Sequence, residues 1–122
     1  VVEAMGFDFE GGRIDEAPHP FCSGNGPGDV RLTNRYLADD FLSSLFSAMH
    51  EAGHGLYEQG IDPALAGTPL GSGTSLGIHE SQSRLWENMV GRGEPFWRHF
   101  YPVLRERFPA QLADVPFDHF LA

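Results

Sequence analysis

The sequence has 122 residues, enough for one domain or for part of a larger one. Its formal net charge of −9 argues against nucleic-acid binding and against docking on an anionic membrane. No apolar run approaches the roughly 18 residues of a membrane span, no signal peptide opens the chain, and the single cysteine, Cys22, excludes an internal disulfide. We therefore expect a cytoplasmic protein.

The sequence predicts a small antiparallel β-sheet near the N-terminus, within residues 1–37. Residues 7–10 and 13–15 alternate apolar and polar side chains around a Gly11–Gly12 turn, which is typical of a β-hairpin. Residues 18–21 follow as an extended segment, because each proline there biases the preceding residue away from a helical conformation.

A further short strand is predicted at residues 29–33, after a flexible glycine-rich turn at residues 23–28. Alternation with a period of two places Asp29, Arg31 and Thr33 on one face of this strand. Solvent exposure is the simplest explanation of that polar face.

Residues 38–60 are predicted to form one amphipathic helix. Asp39 or Asp40 can cap its start, and Gly60 is suited to end it. Apolar residues recur at spacings of three and four, which indicates one buried stripe formed by Phe41, Leu42, Leu45, Phe46, Met49, Ala52, Leu56 and Tyr57.

This helix carries the pattern His50-Glu51-x-x-His54, which is the zinc-protease signature. Histidines four apart leave one helix face about 6 Å apart along the axis, within reach of one Zn²⁺. Glu51 lies beside such a metal, where it could deprotonate a bound water. The alternative is a pair of surface histidines beside a solvated glutamate. Gly53 and Gly55 favour a real site, because each costs about 1 kcal/mol relative to alanine in a helix and implies close packing there.

Residues 61–74 form a connection rich in glycine and proline between the helix and the next helical stretch. Structureless connections of this length are uncommon in compact domains and are usually functional or disordered. We consider two interpretations, a lid that contacts substrate and a merely mobile connector.

The region 75–122 is predicted to be helical. A helix from about Ser75 to Val90 is expected to bury a stripe formed by Ile78, Leu85, Trp86, Met89 and Val90. Glu80 lies off this stripe, at helical spacing from Ser83, Arg84 and Glu87. A further helix should begin at Glu94 and Pro95, Pro102 should kink or end it, and residues 108–116 read as irregular.

The ends of the sequence indicate a fragment of a larger protein. Val1 stands in an apolar run without an initiator methionine, and residues 116–122 read as a helix start that lasts one turn. The last third also carries more large apolar side chains than a small chain readily buries: Trp86, Phe96, Trp97, Phe100, Tyr101, Phe108, Phe117 and Phe120. Because contiguous exposed apolar surface usually marks a missing partner, we expect self-association through this region.

A catalytic zinc ion needs three protein ligands, so the two histidines of the central helix require a third. His79, Glu80, Glu58 and Glu87 are candidates, as is a residue outside the chain. Glu58 lies one turn further along the same helix and is better suited to a surface or supporting role. Spacing does not decide between His79 and Glu80. Imidazole and carboxylate ligands suit several divalent ions.

Four motifs occur in order along the chain: His19-Pro20-Phe21, Asp29-x-Arg31-x-Thr33, His50-Glu51-x-x-His54 and His79-Glu80-Ser81. Together they resemble the thermostable metallocarboxypeptidase family typified by carboxypeptidase Taq, over the whole chain. The resemblance implies that His50, His54 and Glu80 bind Zn²⁺, or Co²⁺ or another divalent ion, and that Glu51 is the general base. It further implies a substrate groove lined by His19, Asp29, Arg31 and Thr33, to which we add His79 and Arg84.

The resemblance also implies a fold class and an activity. The fold expected is mainly α with a small antiparallel β-sheet near the N-terminus, as a fragment of a larger helical zincin-type metallopeptidase. The activity expected is metal-dependent release of C-terminal residues from peptides with a free C-terminus. Family members are several times longer and usually form homodimers, so we expect a homo-oligomer.

Two further motifs of the family are missing from this chain, including one whose arginine is thought to bind the substrate carboxylate. We therefore expect weak or no activity from residues 1–122 alone. The alternatives are a related zinc endopeptidase or aminopeptidase, and a non-catalytic helical fragment without a tightly bound metal.

Overall fold

The computed structural model describes residues 1–26 and 28–121, which form a mainly helical structure with one three-stranded sheet near the N-terminus. The strands are β1 (Gly12–Glu16), β2 (Phe21–Gly24) and β3 (Val30–Asn34). The helices are α1 (Phe41–Gln59), α2 (Leu76–Arg84), α3 (Glu94–Arg107), α4 (Pro109–Leu112) and α5 (Phe117–Leu121). Within these residues, no helix has both the length and the apolar character needed to cross a membrane.

The predicted small sheet near the N-terminus of a mainly helical fold is confirmed, but the sheet is mixed rather than antiparallel, and the predicted hairpin at Gly11–Gly12 is wrong. β3 is the central strand; β1 pairs with it in parallel and β2 pairs with it antiparallel. Residues 7–10 form no strand, because the Phe7 side chain is buried in the core and the Asp8 amide bonds to the Gln59 side chain. At Gly12 a Cβ would lie 2.5 Å from the Phe7 ring and 2.7 Å from the Val30 carbonyl oxygen, so β1 approaches its neighbours too closely for a side chain.

The strand predicted at 29–33 is confirmed, one residue further along, as β3. Val30, Leu32 and Asn34 are buried, whereas Arg31 is exposed and Thr33 is partly exposed, as the alternation predicts. The Asn34 side chain donates a hydrogen bond to the Ser44 carbonyl, which ties the end of β3 to α1. Of the turn predicted at 23–28, the first two residues belong to β2, and Pro27 lies outside the described residues.

Helix α1 confirms the predicted amphipathic helix and its ends. The Asp40 carboxylate accepts a hydrogen bond from the Ser43 amide at 3.0 Å, which caps the first turn, and Gly60 follows the last helical residue. One part of the buried stripe packs on the sheet through Ala52, and another packs on α3 through Met49. α1 is therefore the element that both halves of the structure share.

The helix predicted from Ser75 to Val90 is present, but its predicted buried stripe is wrong. It consists of α2, capped by the Ser75 hydroxyl, followed by a π-helical stretch at Leu85–Val90. Ile78, Leu85 and Met89 are 52%, 45% and 75% exposed, and the fully buried residue of α2 is Ser83. The polar face is directed inward because α2 contacts α1 where only small residues allow the two backbones to approach.

Helix α3 starts at Glu94 and Pro95 as predicted but does not end at Pro102. It continues to Arg107 because buried side chains lie on both sides of the proline, with Tyr101 before it and Leu104 after it. Burial of these apolar side chains outweighs the loss of one backbone hydrogen bond. The segment predicted to be irregular contains helix α4, and the single-turn helix predicted at the end is confirmed as α5.

The aromatic residues of the last third form a core rather than an exposed surface. Phe96, Trp97 and Tyr101 are buried, and Phe117 and Phe120 pack against them. Of the aromatic residues predicted to be in excess, Phe108 is the exposed one. The three most exposed apolar side chains lie in the connection, in α2 and in the π-helical stretch, at Leu70, Leu76 and Met89. Other exposed apolar residues include Ile78 and Leu85 in the same region, Phe21 in β2, and Val103, Phe108 and Leu121 in the last third.

Candidate metal centre

Two imidazole nitrogens and one carboxylate oxygen converge between α1 and α2. Glu80 Oε2 lies 3.3 Å from His50 Nε2 and 3.2 Å from His54 Nε2. The three side chains each place one ligand atom within 4.8 Å of the other two. Imidazole nitrogen and carboxylate oxygen are donors that zinc and related divalent ions accept. The donor set therefore fits a divalent metal ion.

The close approach of α1 and α2 depends on a glycine. A Cβ at Gly53 would lie 2.6 Å from the Cα of Ser83, so the two helices touch backbone to backbone. This contact explains why glycine occurs inside α1, as its helix-forming cost predicted. It also places Glu80, one turn before Ser83, opposite the histidines of α1.

The carboxylate of Glu80 is held by its own helix. The Ser83 hydroxyl donates to Oε2 at 3.0 Å, and the Arg84 guanidinium donates to Oε1 at 3.1 Å. Slight burial disfavours the charged form, but these hydrogen bonds and the nearby histidines lower the pKa of Glu80 below its ordinary value. Glu80 is therefore kept in the charged form that a metal ligand requires.

The Nδ1 atom of His50 also has an acidic partner. Glu87 Oε2 lies 2.8 Å from it, and Glu87 Oε1 accepts a hydrogen bond from Arg92 at 3.3 Å. The Arg92 guanidinium lies 4.2 Å from the centre of the Phe46 ring. Such an acceptor fixes the orientation of a histidine whose other nitrogen faces a metal.

The Nδ1 atom of His54 contacts a second histidine. His79 Nδ1 lies 2.8 Å from it, and His79 Nε2 lies 2.5 Å from Glu58 Oε1. Burial, together with the neighbouring imidazoles of His50 and His79, lowers the pKa of His54. A lowered pKa favours the neutral imidazole, which is the form that binds a metal ion.

Of the four residues considered as a third ligand, Glu80 is the one whose carboxylate faces both His50 and His54 at their Nε2 atoms. Glu87, His79 and Glu58 lie on the opposite sides of the rings, in supporting positions. The preference for Glu58 as a supporting residue agrees with this placement.

Glu51 is buried between two cavities beside the three candidate metal ligands. The larger cavity, about 600 Å³, is lined by His50, Glu51, Arg92 and His19 among others. The smaller, about 360 Å³, is lined by Glu51, His19 and His54. Burial raises the pKa of the Glu51 carboxyl above its ordinary value.

The structure brings only part of the predicted groove to these cavities. His19 lines both of them, and His79 lines the smaller one. Thr33 contributes indirectly, because its hydroxyl donates to the His19 carbonyl at 2.9 Å. Asp29 and Arg31 pair with each other at 2.8 Å on the outer face of β3, which agrees with solvent exposure.

Other site residues carried little signal in the sequence. Glu87 was considered as a third ligand because it follows Glu80 at helical spacing, but its contact with His50 Nδ1 was not predicted. Arg92 lies beyond the end of the π-helical stretch, where no periodicity applies. The contact between Tyr57 and Thr74, which joins α1 to the connection, depends on the folded path of that connection.

Comparison with known proteins gives matches over almost the whole chain. The model of the carboxypeptidase Taq (M32) metallopeptidase family matches residues 1–122. Thermostable carboxypeptidase 1 of Thermus thermophilus is 52% identical over 120 residues, which cover 98% of this chain and 23% of the relative. Carboxypeptidase 1 of Bacillus subtilis is 48% identical over 120 residues, covering 98% of this chain and 24% of the relative.

Solved structures agree with the sequence relatives. An M32 carboxypeptidase from Deinococcus radiodurans R1 matches with a TM-score of 0.94 and 50% identity, covering 98% of this chain and 24% of that one. The chain thus spans about a quarter of the length of the relatives it matches.

Proposed function

Since the chain belongs to the carboxypeptidase Taq (M32) family of metallopeptidases, we propose that it supplies the metal centre of a metal-dependent carboxypeptidase. The observation that carries this proposal is the convergence of His50, His54 and Glu80 beside the buried Glu51. The substrates proposed are peptides with a free C-terminus.

We assign His50, His54 and Glu80 as the residues that would hold the metal ion, with zinc as the ion and cobalt as an alternative. When bound there, a divalent ion would supply Lewis acidity, which polarises a peptide carbonyl and makes a nearby water more acidic. The chain's own contribution is to favour the neutral imidazole of His54 and the charged carboxylate of Glu80.

Glu51 acts as the general base in this proposal. Its carboxylate accepts a proton from the attacking water and returns it to the amine nitrogen that leaves when the peptide bond breaks. Because burial raises the pKa of Glu51, its carboxylate is a stronger base than that of an exposed glutamate. Although Glu51 is buried, its carboxylate lines both cavities, so a peptide carbonyl that enters a cavity can come close to it.

The cavities beside Glu51 are the proposed substrate groove. His19 is the best supported of the predicted groove residues, since it lines both cavities and Thr33 holds its backbone. Arg84 contacts Glu80, so its effect on substrate would be exerted through that residue, whereas His79 both lines the smaller cavity and contacts His54. The groove roles of Asp29 and Arg31 remain predictions.

Metal analysis tests the proposed centre directly. The 122-residue chain is expected to bind one equivalent of Zn²⁺ or Co²⁺ per chain, and His50→Ala or Glu80→Ala should abolish stoichiometric binding. Arg98→Ala, an exposed change on α3, is a suitable control. Equal metal content in the wild-type chain and in His50→Ala would contradict the proposal.

Peptide hydrolysis tests the reaction. We expect release of the C-terminal residue from peptides with a free carboxylate and no cleavage of the same peptides with a C-terminal amide. Because the chain spans about a quarter of its relatives, its turnover should be about a hundredfold or more below that of the Thermus thermophilus relative. Equal turnover would contradict this, and cleavage of amidated peptides would favour an endopeptidase or aminopeptidase.

A further inference from the structure

We propose that Glu58 and His79 are positioning residues which fix the proton of His54 on Nδ1, so that His54 Nε2 is free to bind the ion. This inference deepens the proposed function and rests on the metal centre described there. It gives a role to two residues that donate no ligand atom to the ion.

The direction of each hydrogen bond follows from what each group can donate. An ionised carboxylate only accepts, so His79 Nε2–H must donate to Glu58 Oε1 across 2.5 Å. A neutral imidazole carries one N–H, so the other nitrogen of His79, Nδ1, is an acceptor. It lies 2.8 Å from His54 Nδ1, which donates to it when His79 is neutral. His54 Nε2 then keeps its lone pair, which is directed toward the place beside Glu80 where the ion would bind.

The packing around His79 holds this arrangement in place. The ring of Tyr57 stands edge-on to the His79 ring with centres 4.6 Å apart. The Tyr57 hydroxyl in turn hydrogen-bonds the Thr74 side chain at 3.3 Å and accepts from the Thr74 amide at 3.2 Å. Residues at the end of the 61–74 connection thus close over the ring.

Two glycines provide the room for these side chains. A Cβ at Gly73 would lie 2.8 Å from His79 Cδ2, so alanine there would displace the ring. A Cβ at Gly24, in β2, would lie 2.7 Å from Glu58 Oε2. The connection and the sheet are therefore shaped to accommodate His79 and Glu58, which argues against a chance contact.

His50 and His54 both need an acceptor for the ring N–H that does not face the ion. Histidines that bind metals usually donate their second ring N–H to a carboxylate or carbonyl group, which fixes the tautomer. For His50 the acceptor is Glu87 itself. For His54 the carboxylate is one residue further away, and the imidazole of His79 lies between.

Zinc affinity of the 122-residue chain, measured by competition with a chelator, tests the inference. Glu58→Gln and Gly73→Ala should each weaken Zn²⁺ binding about tenfold to a hundredfold, the usual effect of losing a supporting partner. Glu106→Gln, an exposed change of the same charge, and Gly77→Ala, where a Cβ meets only Ser75 Oγ at 3.8 Å, should bind within about twofold of wild type. Wild-type affinity in both Glu58→Gln and Gly73→Ala would overturn the inference.

The proton positions give a second readout that a general loss of stability would not produce. Long-range ¹H–¹⁵N correlation spectra of the imidazole rings should show His79 protonated on Nε2 alone and His54 protonated on Nδ1. A proton on His79 Nδ1 would overturn the inference.

If the wild-type chain bound no zinc, the proposed metal centre would fail, and the spectra of the metal-free chain would still decide the direction of the hydrogen bonds. If Gly73→Ala failed to fold, Glu58→Gln would decide the affinity test.

Discussion

Glu51 is the residue on which the proposed chemistry depends, since it combines burial with access to both cavities. The two histidines of the same motif, His50 and His54, are held by hydrogen bonds at their Nδ1 atoms. The Glu51 carboxylate instead lines the two cavities. Burial raises its pKa because the charged form loses solvation. The residue is thus placed to exchange protons rather than to bind the ion.

Glu51→Gln should separate catalysis from metal binding. Glutamine keeps the size of the side chain but cannot accept the proton, so residue release should fall by a factor of about 10²–10⁴. Zinc affinity should stay within a few-fold of wild type, because Glu51 donates no ligand atom to the centre. The measurements are a C-terminal release assay and a chelator competition, with Glu106→Gln as control; an unchanged rate would rule out this role.

The raised pKa of Glu51 predicts the direction in which the pH profile of C-terminal residue release is shifted. A base with a raised pKa loses its function as the pH falls through that raised value. The acid limb of kcat/KM should therefore lie at higher pH than an ordinary glutamate gives.

Cys22 offers an independent measure of how closely the sheet packs against α1. Burial raises the pKa of its thiol to about 12, with the negative charges of Glu51 and Glu58 adding to the shift. Because the thiolate is the reactive form, alkylation at pH 8 should be about a thousandfold slower in the folded chain than in the unfolded chain. Equal labelling rates with and without denaturant would show that Cys22 is accessible in solution.

At the scale of elements, the pairing of α1 with α2 determines whether the site forms. The two helices contribute all three candidate ligands, and Gly53 against Ser83 sets their separation. The supporting residues Glu87 and His79 come from the same second helical stretch. Separation of the helices would therefore disrupt the ligands and their partners together.

Gly53→Ala tests this contact. Alanine favours helix formation by about 1 kcal/mol, but its methyl group would meet the Ser83 backbone at 2.6 Å. We expect overpacking to dominate, with a net loss of about 1–3 kcal/mol of unfolding free energy and weaker Zn²⁺ binding. Urea unfolding measures the first and chelator competition the second.

Gly77→Ala is the matched control for this prediction, because it makes the same change in a helix where the methyl group makes only an ordinary contact of 3.8 Å with Ser75 Oγ. It should leave the chain as stable or up to about 1 kcal/mol more stable. A stabilised Gly53→Ala chain with normal zinc affinity would contradict the proposed role of the contact.

The sequence predicted those features of the elements that depend on local geometry. The caps and periodicity of α1 and the shared face of His50 and His54 need only helical spacing. The inward face of α2 was mispredicted because the periodicity rule assigns apolar residues to the core, whereas here Ser83 and Glu80 face α1. The acceptors of the histidine rings depend on how two helices approach, which no local pattern encodes.

The sheet was also predicted only as far as local sequence patterns determine it. Alternation located β3 and its polar face correctly. It could not determine whether β1 pairs with β3 in parallel, because the pairing partner follows from the packing of Phe7 on α1 and not from the Gly11–Gly12 turn.

At the scale of the whole molecule, the aromatic core and the most exposed apolar side chains lie in different regions. α3, α4 and α5 bury most of their aromatic residues around Trp97 and Tyr101. Leu76 and Met89, in α2 and the π-helical stretch, are 83% and 75% exposed, whereas the exposed apolar residues of the last third, Val103, Phe108 and Leu121, are at most 50% exposed. Self-association, if driven by burial of apolar surface, is therefore expected there rather than in the last third.

Light scattering of the chain at increasing concentration tests this expectation. The wild-type chain should self-associate, and the double variant Leu85→Ser, Met89→Ser should do so less, because both side chains are exposed. Phe108→Ser, in the last third, is the comparison that distinguishes the two surfaces. A monomeric wild-type chain at high concentration would contradict the prediction.

The central position of β3 has a consequence for how this chain could change over evolutionary time. His19 is held by Thr33 on one face of this strand, while Leu32 on the other face packs with Ala52, the neighbour of Glu51 in α1. The spacing between the cavity wall and the proton acceptor is thus set by two apolar side chains with no chemistry of their own. Evolutionary substitutions that alter the volume of Leu32 or Ala52 would change the spacing between His19 and Glu51, and with it the size of the cavities, without altering either side chain.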